Sequence, residues 1–355
     1  MTELLIGTRK GLFALEGDPH TGFEVKTRAF AGEPVEYAMR DPRSGRLIAS
    51  VTSAFYGPKL WYADDPSDEW RQAEGIALPE GGESALERVW VIVAGEDERS
   101  LYVGGDPGVL FQSRDGGATW ELNRALWEHP TRPSWQAGGG GLCLHSIVPW
   151  PGDPDRLALG ISAAGVWLTV DGGESWRQGN KGLVARYLPE DAREDPSALC
   201  VHRLQRARKR PERVFMQFHG GVYRSDDAGE TWTDIGAGLP SDFGFPMTLD
   251  PADPDSAYVI PLEADMDRVT PDGRVRVYET RDGGASWAAR GDGLPRQDAY
   301  LTILRHGFDQ VAEGSALELY FGATSGEVFG SGDAGASWFT AATHLPPVLS
   351  VTASR

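Results

Sequence analysis

Short apolar runs alternate with glycine-bounded turns along the whole chain, and the alternation is that of strands rather than helices. Leu4-Leu5-Ile6-Gly7 precedes Gly11-Leu12-Phe13, and Leu101-Tyr102-Val103-Gly104 precedes Val109-Leu110-Phe111. Val214-Phe215-Met216 and Gly221-Val222-Tyr223 form another such pair, as do Leu319-Tyr320-Phe321-Gly322 and Glu327-Val328-Phe329. Val, Tyr and Phe in runs of this length, closed by Gly, predict paired strands joined by tight turns.

An octapeptide follows most of these hairpins: Ser/Thr, any, Asp, any, Gly, any, Ser/Thr, Trp. It reads Ser113 to Trp120, Thr169 to Trp176, Ser225 to Trp232, Thr280 to Trp287 and Ser331 to Trp338, with a degenerate copy from Ala63 to Trp70. The Trp positions 70, 120, 176, 232, 287 and 338 are spaced by 50, 56, 56, 55 and 51 residues. Self-similarity at this period marks a repeat architecture and overrides a domain count read from length.

A further strand opens each unit, as in Leu142 to Val148, Ala198 to Leu204 or Tyr300 to Leu304, and an Asp/Pro-rich turn often follows it. Each unit is then a four-stranded antiparallel meander, A to D, with the octapeptide at the C–D turn. One such sheet buries neither face alone, so the expected fold is an all-β, seven-bladed propeller over residues 1–355 as a single domain. The first unit lacks strand A, and Val348-Leu349-Ser350-Val351-Thr352 stands unassigned after the last octapeptide. The expectation is that this strand lies innermost in the N-terminal blade and closes the ring.

Composition narrows the partners. Fifty-two acidic residues against 34 basic ones give a net charge of −18, which opposes binding to nucleic acid or to an anionic membrane surface. Two cysteines make neither a disulfide framework nor a zinc module. The N-terminal Met1 to Lys10 has no signal-peptide pattern, so a cytoplasmic location is expected.

The octapeptides resemble the Asp-box (bacterial neuraminidase, BNR) repeat of sialidase-like propellers, and the resemblance covers nearly the whole chain. Their chemistry reads as structural. Asp115, Asp171, Asp227, Asp282 and Asp333 are expected to accept backbone N–H groups within the turn, while Gly supplies positive φ. Trp120, Trp176, Trp232, Trp287 and Trp338 are expected to fill space between blades. Calcium loops are not expected, because the EF-hand spacing and its terminal Glu are missing.

If the octapeptides occupy one face, the D–A connections and B–C turns meet at the channel mouth on the other, and ligand sites favour such concave places. His145 and His202 fall on strands A of consecutive blades, in Cys143-Leu144-His145 and Cys200-Val201-His202, and His219 lies in the next B–C turn. These three, with Arg9 and Arg88, are the expected ligand-binding residues; Glu87, Glu263, His202 and Tyr300 are the candidates for catalysis. Lys10, Glu83, His129, Trp135, Gln136, Arg186, Tyr187, Asp265, Asp267, Arg268, Asp298 and His344 belong to the same loops. Two Cys-x-His tripeptides invite a metal reading. Equivalent positions on adjacent blades face different gaps, however, so no cofactor is expected, with a channel-bound metal kept only as the lesser alternative. The run Arg203, Arg206, Arg208, Lys209, Arg210 and Arg213 reads as a solvated hairpin on the octapeptide face.

The resemblance implies two classes of function. The first is a propeller that binds a small polar or anionic ligand, or a protein partner, at the mouth opposite the octapeptides. The alternative is a carbohydrate-active hydrolase or lyase, as in the single-propeller bacterial proteins called glycosyl hydrolase-like or sialidase-like. True sialidase activity is not expected, because the Arg-Ile-Pro motif of that family is absent and the count of units is seven.

Overall fold

The computed structural model describes residues 1–79, 85–264 and 266–355. Seven four-stranded antiparallel sheets succeed one another along the chain. Their innermost strands are Val348–Ser354 in blade 1, then Val35–Arg40, Arg88–Ala94, Cys143–Trp150, Val201–Arg206, Gly244–Leu249 and Phe308–Glu313 in blades 2 to 7. The fold is the expected seven-bladed propeller. No described helix is long and apolar enough to cross a membrane.

Blade 5 shows why the sequence folds this way. Its second strand, Val214–Phe218, is buried at every position, as a strand covered on both faces must be. On one side Val201, Leu204, Met216, Phe218 and Tyr223 meet Val148, Ala158, Val166 and Leu168 of blade 4. On the other, Phe215 and Val222 meet Met247, Ala257 and Val259 of blade 6. Each fully buried large side chain contributes roughly 1.5–3 kcal/mol, so the gaps between blades carry most of the stability.

The ring closes as expected. Leu5 pairs with Thr352 and Ile6 with Val351 in the N-terminal blade. Both neighbouring blades hold that strand as well. Thr352 Oγ1 donates to the carbonyl of Ala38 at 2.8 Å, and the Ala353 N–H donates to Asp309 Oδ2 at 2.9 Å.

The octapeptide turns are closed units of hydrogen bonding. Asp115 Oδ1 accepts the N–H groups of Ala118 and Thr119 at 3.0 Å, and Asp115 Oδ2 accepts the Thr119 hydroxyl at 2.7 Å. Ser113 Oγ in turn accepts the Gly117 N–H at 2.9 Å. With its carboxylate thus solvated by the turn, Asp171 is held down to about 2, chiefly by the Ser175 hydroxyl. The Trp rings seal the gaps: Trp176 Nε1 donates to Asn123 Oδ1 at 3.1 Å and Trp232 Nε1 to the Gly179 carbonyl at 2.8 Å, each on the preceding blade or the connection leaving it.

One strand lies elsewhere than the sequence implied. In blade 7 the innermost strand is Phe308–Glu313, and Tyr300–Leu304 is part of the D–A connection. The apolar Tyr300-Leu-Thr-Ile-Leu run has strand-like residues, but Ile303 is buried in a loop against Phe308 and Phe321 instead of in a ladder. Polar Asp309 and Gln310 take the inner positions, because the wall they form faces the channel rather than another blade.

Candidate functional site in the central channel

A register fault recurs where the innermost strands enter the channel. In blades 2 to 5 one residue is skipped in the pairing of strand A with strand B, at Glu36, Trp90, His145 and His202. Blade 6 skips Phe245 and Pro246, and blade 1 skips Leu349. Such bulges re-aim side chains locally, so the residues that line this level of the channel do not follow the alternation of their strands.

His145 and His202 occupy equivalent bulges but are bonded differently. His145 is fully buried; its Nε2 donates to the Val201 carbonyl at 2.8 Å and lies 2.9 Å from Ser162 Oγ. Its Nδ1 faces Ser146 Oγ at 3.1 Å, so both ring nitrogens are engaged in the gap between blades 4 and 5. His202 donates from Nδ1 to the Gly244 carbonyl at 2.6 Å and packs against Phe245, His219 and Phe243, with ring centroids at 4.7, 5.2 and 5.3 Å. Burial holds both imidazoles well below their usual range, so they are neutral at neutral pH.

Sequence reasoning missed the cation at this level. Arg305 lies 4.7 Å from the ring of Phe245 and 5.6 Å from that of Trp90, bridging blades 6 and 3 across the lumen. Its Nε makes no hydrogen bond among the described residues. Arg268 also approaches Phe245, at 5.6 Å. The Gly138–Gly141 segment reaches the same place: a Cβ on Gly138 would stand 3.7 Å from Cys200 Sγ. These groups fill the mouth where D–A connections converge.

The other expected site residues do not join into one pocket. Arg88 pairs with buried Glu36 at 3.4 Å and stacks on Trp90 at 4.6 Å. Arg9, Glu87, Glu263, Tyr300 and His344 are exposed on separate loops, and Glu83 and Asp265 lie outside the described residues. His129 meets the Trp167 ring edge-on, with centroids 4.7 Å apart, away from the channel ring.

The enclosed space lies in the other half of the channel. A cavity of about 370 Å³ is lined by residues from all seven innermost strands and opens between the A–B turns, on the octapeptide side. It is a different place from the opposite mouth at which the site is expected. The physical reason is loop length: the D–A connections are long enough to fold over their end, whereas the A–B turns leave theirs open.

Among the polar residues that line this cavity are Tyr37, Arg203, Gln205, Asp309 and Gln310. Arg203 contacts His306 Nδ1, and Gln205, with its amide oxygen turned toward it, accepts from Arg203 Nε at 3.1 Å and from Nη2 at 2.9 Å. Burial raises the Asp309 carboxyl to about 6, with the Ala353 N–H and Arg203 opposing the rise. Gln310 Oε1 has no hydrogen-bond partner among the described residues. The basic run is therefore no solvated hairpin throughout. Arg208, Lys209 and Arg210 are exposed, but Arg203 faces the lumen and Arg206 lies 4.9 Å from the Trp150 ring. Arg213 is buried between Asp226 and Asp255. The bulge at His202 sets the facing of Arg203 toward the lumen.

No family model matches the chain, and no curated protein matches it. Among solved structures, that of an ancestral GH74 enzyme superposes with a TM-score of 0.57 at 16% identity, covering 90% of this chain and 38% of that one. The structure of YCF48 bound to a D1 peptide superposes with a TM-score of 0.52 at 13% identity, over 90% of this chain and 84% of that one. This chain thus spans well under half of the GH74 enzyme. The likeness at such identities is one of fold.

Proposed function

We propose that this protein is a binding propeller that takes a small, carboxylated and hydroxylated ligand in its central cavity. The observation that carries this reading is the channel wall itself, a space of about 370 Å³ in which Arg203 stands among Tyr37, Gln205, Asp309 and Gln310. Its volume is at the small end of the roughly 300–1,000 Å³ range of ligand sites, fitting one sugar-sized acid rather than a polymer. A guanidinium suits a ligand carboxylate, and amides, joined below about pH 6 by the protonated Asp309 carboxyl, suit hydroxyl groups.

The arrangement speaks less for hydrolysis. Glycoside cleavage uses two carboxyl groups flanking the scissile bond. Of the cavity's carboxylates, Glu96 is engaged by Arg208 and the Gly152 N–H, and Asp250 caps its own turn at the Ala252 N–H. Asp309 favours the second reading, a carbohydrate-active hydrolase or lyase, since a carboxyl near 6 suits proton transfer. A protein partner is a further form of the binding reading, and the peptide-bound state of YCF48 supports it only as a use of the same fold.

The test is calorimetry and thermal shift with D-glucuronate, using glucose and acetate as controls for hydroxyl and carboxylate alone. Glucuronate should bind best, Arg203→Gln should abolish the effect, and affinity should weaken as pH rises through about 6, where Asp309 ionises and repels the ligand. No binding by any of the three, or binding unchanged in Arg203→Gln, would sink the proposal.

A further inference from the structure

We infer that Cys200, His202 and His219 form a binding site for a thiophilic d10 cation at the inner end of blade 5. The ligand atoms of these three side chains lie within 4.8 Å of one another. Metal–nitrogen bonds of about 2.0–2.1 Å and metal–sulfur bonds of about 2.3 Å put tetrahedral donors roughly 3.5 Å apart, so the three side chains need to draw together only slightly on binding.

Strand pairing creates the convergence. The His219 N–H donates to the Cys200 carbonyl at 3.0 Å, which places Cys200 and His219 opposite each other across strands A and B. The bulge at His202 brings the third donor to the same side. His202 is oriented as a ligand is: its Nδ1–H is spent on the Gly244 carbonyl at 2.6 Å, so Nε2 carries the lone pair. Tyr187 supports the other two. Its hydroxyl accepts the Cys200 N–H at 3.0 Å and its ring packs at 4.2 Å from that of His219.

The second Cys-x-His sequence supplies an internal control. Opposite Cys143 stands Ser162 instead of a histidine, and His145 has already donated Nε2–H to the Val201 carbonyl. Cys143 Sγ is turned to the Gly140 carbonyl, 3.1 Å away. Blade 4 has the tripeptide and lacks the site.

One thiolate and two imidazoles select soft ions, Zn2+ or Cu+. The charge of Arg305 reaches both Cys200 and His202, which disfavours a dication. Thiolate with Cu+ is neutral overall, so both ions are worth testing. Three protein ligands leave a fourth position for an exogenous one, independent of the cavity on the octapeptide side.

The experiment titrates the untagged, reduced full-length protein with Zn2+ and separately with Cu+, each against a competing chelator. The expected result is one equivalent of at least one ion, retained by Cys143→Ser and weakened more than about a hundredfold by Cys200→Ser or His219→Gln. Circular dichroism of each variant establishes that it is folded. With Co2+ as a spectroscopic probe, a thiolate-to-metal charge-transfer band should appear in the wild type and vanish in Cys200→Ser. Absence of tight binding by both ions, or binding that survives Cys200→Ser, overturns the assignment.

Discussion

Blades 4 and 5 enter the channel with the same Cys-x-His pattern, in Cys143-Leu-His-Ser146 and Cys200-Val-His-Arg203, and put it to different uses. Both histidines sit on a bulge. In blade 4 the imidazole donates from Nε2 to Val201 of the next blade, and Ser146 Oγ accepts the Leu204 N–H at 3.0 Å. In blade 5 the imidazole donates from Nδ1 to Gly244 of the next blade, and Arg203 enters the cavity. Each imidazole thus staples its blade to the next, but through opposite ring nitrogens, and only in blade 5 does the histidine lie beside a cysteine and a second histidine. The tautomer follows from which nitrogen meets a carbonyl.

The comparison requires that the two blades share a framework, and the largest expected effect tests that. Trp176→Ala and Trp232→Ala should each destabilise by roughly 3–5 kcal/mol in urea unfolding, as for buried aromatics. The rings are 7% and 6% exposed, and each makes its Nε1 bond to the element before it. A large cost in one and none in the other would mean that the octapeptides of these blades are not equivalent.

The second test separates the histidines. His145→Gln should cost about 2–4 kcal/mol, because one flexible amide cannot serve Val201, Ser162 and Ser146 together in a site closed to water. His202→Gln should cost less than about 1.5 kcal/mol, since its amide keeps a donor for Gly244. Equal costs in equilibrium unfolding would erase the distinction between the two histidines.

How much of this was legible in the sequence differs between frame and channel. The spacing of Trp70 to Trp338 and the strand at Val348 carry the blade count and the closure, because a repeated turn needs the same residues each time. The channel has no such redundancy. Bulges at Glu36, Trp90, His145 and His202 shift the facing of each inner strand by one residue, which alternation cannot report. Arg203 was hidden in a basic run, and Arg305 followed a loop that imitates a strand. His202 and His219 were singled out, but their convergence with Cys200 depends on a cross-strand pairing that composition does not contain.

The smallest effect concerns the residue that most distinguishes the two copies, Arg203 in place of Ser146, through its neighbour Asp309. Burial lifts the Asp309 carboxyl from 3.8 to about 6 in the folded protein. A raised folded value means that the native state binds this proton more tightly than the unfolded chain does. The contribution to stability is therefore full below about pH 4 and is lost as pH rises through about 6. Asp309→Asn removes that loss, and a rise from 3.8 to about 6 sets its upper limit at roughly 3 kcal/mol. Access of water to the cavity reduces the expected gain to about 1–2 kcal/mol at pH 8, with no gain at pH 4. Arg203→Ser, which copies blade 4, withdraws the opposing charge, so it should deepen the loss above pH 6, and adding Asp309→Asn should restore it. Urea midpoints of the wild type, the two single variants and the double variant at pH 4 and pH 8 measure all of this. A stability profile of Asp309→Asn parallel to that of the wild type would show that the carboxyl is not held in its neutral form, and the proposed acid-side preference of the cavity would fall with it.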